Sequence, residues 1–107
     1  MNSKKKGNAG ELEFLHLLEA HGLTTWRNDQ RYTGGLENSD VRLIAGGKTF
    51  HCEVKRTERL TLYPFMEQAT RDANGHALPL VAYRANRKPW LVCMPLDGFL
   101  ALLQTEK

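Results

Sequence analysis

Asp40, Glu53 and Lys55 are the residues of this chain whose types and spacing are suited to hydrolytic metal chemistry. Glu53-Val54-Lys55 lies in the run Phe50-His51-Cys52-Glu53-Val54-Lys55-Arg56, and Gly46-Gly47 falls midway between Asp40 and Glu53. A Gly-Gly pair between two β-rich runs reads as a two-residue hairpin turn. With strands over 41–45 and 48–55, the register follows: 45 pairs with 48, 43 with 50, 41 with 52 and 40 with 53. Asp40 and Glu53 then oppose each other across the ladder, with Cβ atoms roughly 5 Å apart. Like charges so placed destabilise a sheet, and two carboxylates in that relation suit a hard divalent cation such as Mg²⁺. Strand alternation puts Thr49, His51, Glu53 and Lys55 on one face and Phe50, Cys52 and Val54 on the apolar one. Lys55 thus stands beside Glu53, where an ammonium can act on a water or a phosphate. A plainer reading treats Asp40, Glu53 and Lys55 as solvated charges on an exposed hairpin face. The register weighs against it, since such a face more comfortably pairs Lys with Glu.

The elements around this hairpin can be read in order. Asn8 with Glu11 fits an N-x-x-E capping box. Leu12, Phe14, Leu15, Leu17 and Leu18 continue a first helix that Gly22 stops. Glu11 shares a face with Phe14, Leu15 and Leu18, so it is either a cap or a carboxylate at the edge of the buried side. Residues 23–33 read as a first strand, and Thr33-Gly34-Gly35 as a turn toward Asp40. Pro64 suits the first turn of a second helix with Phe65, Met66, Ala69 and Ala73 on its apolar side, ended by Asn74-Gly75. Residues 78–83 form an apolar run typical of a strand buried on both faces, and 90–94 a last strand. Asp97 is placed to cap a final helix carrying Phe99, Leu100, Leu102 and Leu103. The order is αβββαβ(β)α, a single α/β layer architecture.

Length and charge set the outer limits. The chain has 107 residues, which suits one domain with a modest core. Residues 1–7 read as a basic flexible tail. Its net charge of +3 permits nucleic-acid binding without requiring it. No apolar run approaches membrane-spanning length, and the start lacks a signal-peptide pattern. Cys52 and Cys93 lie in apolar strand-like runs and read as buried thiols, without zinc spacing, in a reducing cytoplasmic setting. His16, His21, His51 and His76 show no mutual metal-ligand spacing; His51 shares the face of Glu53, where it is either structural or in reach of a phosphate.

As an ordered set, Gly7-Asn8-Ala9-Gly10-Glu11, Ser39-Asp40, Glu53-Val54-Lys55 and Gln68 resemble the PD-(D/E)XK nucleases. Within them, the chain looks most like small resolvases related to archaeal Holliday junction resolvases. The resemblance covers nearly the whole chain. It implies a restriction-endonuclease-like αβββαβ core, with a central mixed sheet flanked by helices. It also implies that Asp40, Glu53 and the Val54 carbonyl hold Mg²⁺, with Mn²⁺ as a substitute, and that Glu11 approaches the ion directly or through water. Lys55 would act on the attacking water or the phosphate, and Gln68 matches a glutamine carried by some members. The family's proline is Ser39 here, a backbone difference that removes no ligand.

DNA, branched or otherwise structured, is the expected partner. Arg27, Arg31, Arg42, Arg56 and Arg59 flank the site in sequence, and Arg84, Arg87 and Lys88 gather at one turn, as charges that hold phosphates. Lys4, Lys5 and Lys6 are either a phosphate-binding arm or a solubilising tail. Trp90, Leu91, Val92, Phe99, Leu100 and Leu103 are either core or a homodimer contact, and a symmetric dimer would supply two sites for paired cuts. The competing readings are a noncatalytic DNA-binding module on a nuclease fold, a nickase or repair-type nuclease, and a small scaffold with a chance motif.

Overall fold

The computed structural model describes residues 3–27 and 40–104, with side chains from residue 9 in the first stretch and from residue 41 in the second. The predicted turn at 33–35, Ser39 and Arg31 lie outside the described residues, as do the side chains of Lys4, Lys5, Lys6, Asn8 and Asp40. The elements are α1 (Ser3–Ala20), β1 (Thr24–Arg27), β2 (Asp40–Ala45), β3 (Lys48–Arg56), α2 (Leu62–Ala73), β4 (Leu78–Arg84), β5 (Leu91–Cys93) and α3 (Leu96–Leu103). The five strands form one sheet in sequence order. β1, β2 and β3 are antiparallel neighbours, β3 and β4 are parallel, and β4 and β5 are antiparallel. The fold is therefore a mixed α/β sheet. The parallel step requires a crossover, and α2 supplies it.

The hairpin forms as its glycines require. Gly46 and Gly47 have φ of 60° and 77°, the left-handed pair that a two-residue turn needs. The register is Ala45↔Lys48, Leu43↔Phe50, Val41↔Cys52 and Asp40↔Glu53, as the turn dictates. One face of the sheet packs under α1: Phe14 and Leu15 join Val41, Leu43, Phe50, Cys52, Val54, Leu80 and Ala82 in the core. On the other, α2 packs on β3 and β4 and buries Ala69 and Ala73. Leu80, Val81 and Ala82 are all buried, in keeping with a strand covered on both faces.

Three sequence expectations need correction. Helix α1 begins at Ser3 rather than Asn8, so Lys4, Lys5 and Lys6 lie on helical backbone and not in a tail. Lysine and alanine are good helix formers, and they carry the helix past Gly7. Asn8 and Glu11 therefore lie inside the helix, and Glu11 is a buried side chain instead of a cap. At the other end Asp97 sits in the first turn of α3, whose N-cap is Pro95. Cys52 is buried, but Cys93 is only half-buried, because β5 is an edge strand.

The end of the sheet that matters is the carboxyl end of β3. There Gly10 of α1 lies against Arg56, so closely that a Cβ on Gly10 would overlap Arg56 Cγ. Glu13, one turn on, ties three elements together. It faces Arg84 Nε at 3.0 Å and Arg56 Nε at 3.6 Å, and it accepts from Trp90 Nε1 at 3.0 Å. Trp90 also packs on Phe14, with ring centroids 5.1 Å apart. It is thus part of the interior and not of a free surface.

Candidate active site

The site is built on the β3 face opposite the α1 core. His51 and Glu53 are fully buried there. A buried carboxylate must be paired or hold a cation, and Glu53 has partners on both oxygens. His51 Nε2 lies 3.3 Å from Oε1, and Lys55 Nζ lies 3.8 Å from Oε2. The Lys55 ammonium also sits over the Phe65 ring, 4.5 Å from its centroid, a contact that holds the cation in place without neutralising it. Asp40 occupies the rung directly across from Glu53.

Helix α2 lays a stripe of Phe65, Gln68, Ala69, Asp72 and Ala73 toward the sheet, the i, i+3, i+4, i+7, i+8 positions of one helical face. Gln68 is half-buried on it. Asp72 follows one turn later, and ligand atoms of His51, Glu53 and Asp72 lie within 4.8 Å of one another. Sequence reasoning misses Asp72, although its spacing from Phe65 and Ala69 marks it as inward-facing. Arg42, expected to contact phosphate, instead reaches His51 Nδ1 at 3.0 Å and the Asp72 carbonyl at 3.2 Å. That second bond satisfies an acceptor of the last helical turn.

Glu11 is not part of this group. It is 3% exposed and accepts a hydrogen bond from Arg27 Nε at 2.6 Å, with a second Arg27 nitrogen on the same oxygen. Arg56 and Arg84 are likewise engaged: both face Glu13, and Arg56 also donates to Asn86 Oδ1 at 3.2 Å. By contrast, Arg59, Arg87 and Lys88 are exposed.

Asp40 and Glu53 thus share one rung of the β2–β3 ladder, and Lys55 stands beside Glu53. The family model described as "Phage putative PDDEXK endonuclease" matches residues 2–107. The chain belongs to this PD-(D/E)XK family. A solved relative points the same way. The nuclease is similar to Hjc from Archaeoglobus fulgidus, a Holliday junction resolvase from an archaeal hyperthermophile, with a TM-score of 0.62 and 26% identity over 83% of this chain and 72% of that one. A search of curated proteins returns no match. The fold and family support an endonuclease acting on DNA, and PD-(D/E)XK nucleases generally use divalent metals. Ligand atoms of His51, Glu53 and Asp72, all within 4.8 Å of one another, are a donor set that fits such an ion. No helix among the described residues is long and apolar enough to cross a membrane.

Proposed function

We propose that this nuclease is a Mg²⁺-dependent, structure-specific endodeoxyribonuclease that cuts branched DNA as a homodimer. The observation that carries the reading is the Asp40↔Glu53 rung with Lys55 Nζ 3.8 Å from Glu53 Oε2. Asp40, Glu53 and the Val54 carbonyl would hold the ion, with Mn²⁺ as a substitute. When bound, such an ion acts as a Lewis acid on the phosphate and lowers the pKa of a coordinated water. Lys55 places a fixed positive charge where negative charge develops on the phosphate. Gln68, on the α2 stripe, borders the same face. Glu11 and Arg27 form a pair on the α1 side.

The DNA would lie across the carboxyl ends of β3 and β4, where ligands of α/β sheets collect. Thr57 N donates to the Arg84 carbonyl, and Asn86 N donates to Glu58, so the loops after β3 and β4 are neighbours. They carry the exposed Arg59, Arg87 and Lys88. Because Gly10 meets Arg56 while β1 enters at the opposite end of the hairpin, the turns of α1 bearing Lys4, Lys5 and Lys6 run on past the same end of β3. These charges suit backbone contacts that carry no sequence preference.

Paired cutting calls for two sites, and exposed apolar residues would supply the contact between two copies. Leu91, Val92, Leu96, Phe99 and Leu103 are 48–67% exposed on β5 and α3, an unusual density for a free surface. The deciding experiment incubates the protein in Mg²⁺ with labelled four-way junction, flap, mismatched, nicked and linear DNAs. Paired nicks confined to the junction support the proposal. Uncut DNA throughout removes it, and single nicks in linear duplex replace the resolvase reading with a nickase.

A further inference from the structure

His51 is the largest fully buried side chain among the described residues, and nothing in the proposed chemistry yet uses it. Both of its ring nitrogens are engaged. Arg42 Nε lies 3.0 Å from Nδ1. A guanidinium has donors only, so Nδ1 must accept and carries no proton in the neutral ring. The ring proton then belongs to Nε2, which faces Glu53 Oε1 at 3.3 Å and donates to it. Arg42 is itself anchored by the Asp72 carbonyl at 3.2 Å. Donation thus runs from Arg42 to His51 and on to Glu53, with Arg42 anchored on the last turn of α2.

We infer that His51 is a positioning residue: Arg42 fixes its tautomer, and its Nε2–H orients the Glu53 carboxylate for the metal. This rests on the reading that Glu53 is a metal ligand. It also decides how the group of His51, Glu53 and Asp72 is used. Those atoms are close enough to share an ion, but ligation through Nε2 would require that nitrogen to lose its proton, or Arg42 to release Nδ1. The imidazole therefore acts on the ligand and not on the ion. With Oε1 held by His51, Oε2 is left on the Lys55 side, where the two catalytic groups meet. Such outer contacts set ligand orientation and typically account for roughly 10–100-fold in metal affinity.

The test has two arms. In the first, long-range proton–nitrogen NMR of the ¹⁵N-labelled, metal-free wild-type chain reads the His51 tautomer. An Nε2–H ring is expected, and an Nδ1–H ring overturns the assignment whether or not the protein is a nuclease. In the second, Mn²⁺ is titrated calorimetrically into wild type, His51→Leu and His51→Gln, each checked for folding by circular dichroism. Leucine should weaken binding by roughly 10–100-fold, and glutamine, which keeps an N–H donor, should recover most of it. Equal affinity in wild type and leucine overturns the inference. Loss in both variants marks His51 as a ligand and does the same. A wild type that takes up no Mn²⁺ defeats the metal-dependent reading and the metal role of His51 together, with the tautomer alone left standing as a structural bond.

Discussion

Asp40 lies directly across the β2–β3 ladder from Glu53. Opposed like charges cost a sheet up to about 1 kcal/mol, so this rung is expected to weaken the metal-free protein. Asp40→Asn should therefore raise the melting temperature without metal by about 1–5 °C while abolishing cleavage. In wild type, Mg²⁺ should raise the melting temperature through binding to the folded state, and in Asp40→Asn it should not. Thermal melts with and without Mg²⁺ check both statements. A lowered melting temperature in metal-free Asp40→Asn would speak against the opposed pair.

Glu53→Gln should eliminate cleavage while leaving DNA affinity nearly intact, because phosphate contacts come from cations and not from this carboxylate. Gel-shift titration beside a cleavage time course separates the two properties. Full cleavage by the variant would remove Glu53 from the site.

Lys55→Ala should lower the single-turnover rate by roughly 10²-fold or more, the scale for removing one fixed electrostatic group from a transition state. Lysine is not a ligand, so the Mg²⁺ concentration needed for half-maximal rate should change little. Quenched-flow kinetics over a Mg²⁺ series gives both quantities, and a rate equal to wild type would return Lys55 to a purely structural pairing with Glu53 and Phe65.

Gly10→Ala sets two effects against each other. Alanine in a helix gains up to about 1 kcal/mol over glycine. Here its methyl would overlap Arg56 Cγ and sit 3.0 Å from Arg56 Cβ, close to the backbone, where the side chain gives way least. Overpacking of this kind costs roughly 1–3 kcal/mol, so net destabilisation is expected. Urea unfolding measures it; a stabilised variant would show that α1 can move away from β3 freely.

Arg87→Ala with Lys88→Ala should weaken binding about equally on every DNA. The salt slope should fall by about 1 for each phosphate left without its cation. Both side chains are exposed on the β4–β5 turn. Affinity measured across a salt series tests this, and an unchanged slope would place the DNA elsewhere.

The hairpin is legible in the sequence because it is local: two glycines and an alternating pattern determine the Asp40–Glu53 rung without help from the rest of the chain. The second helix is legible for a similar reason, as Asn74 takes the left-handed conformation at its end with φ 54°. The fates of the arginines are not. Arg42, Arg56 and Arg84 look alike in sequence, and what distinguishes them is the distant partner each meets, Asp72, Asn86 or Glu13. Glu11 resembles a cap because Gly7 and the Asn8–Glu11 spacing imitate a helix start, although the helix begins at Ser3. Asp72 is hidden by its charge, since an acidic residue on an inward stripe makes sense only once the sheet beneath it is known to be polar.

Strand β3 is hydrogen-bonded to β2 on one side and to β4 on the other through residues 50–53, whereas β1 and β5 are four and three residues long. Amide exchange should follow that inequality. The backbone of His51 and Glu53 should exchange only when the whole molecule unfolds, while the edge strands open locally. Asp40 begins β2, one residue beyond the stretch from Val41 to Ile44 that pairs with β1, so its rung should open more readily than the middle of β3. The two carboxylates of one site therefore belong to segments with different lifetimes, and an ion held between them would slow exchange at Asp40 far more than at Glu53.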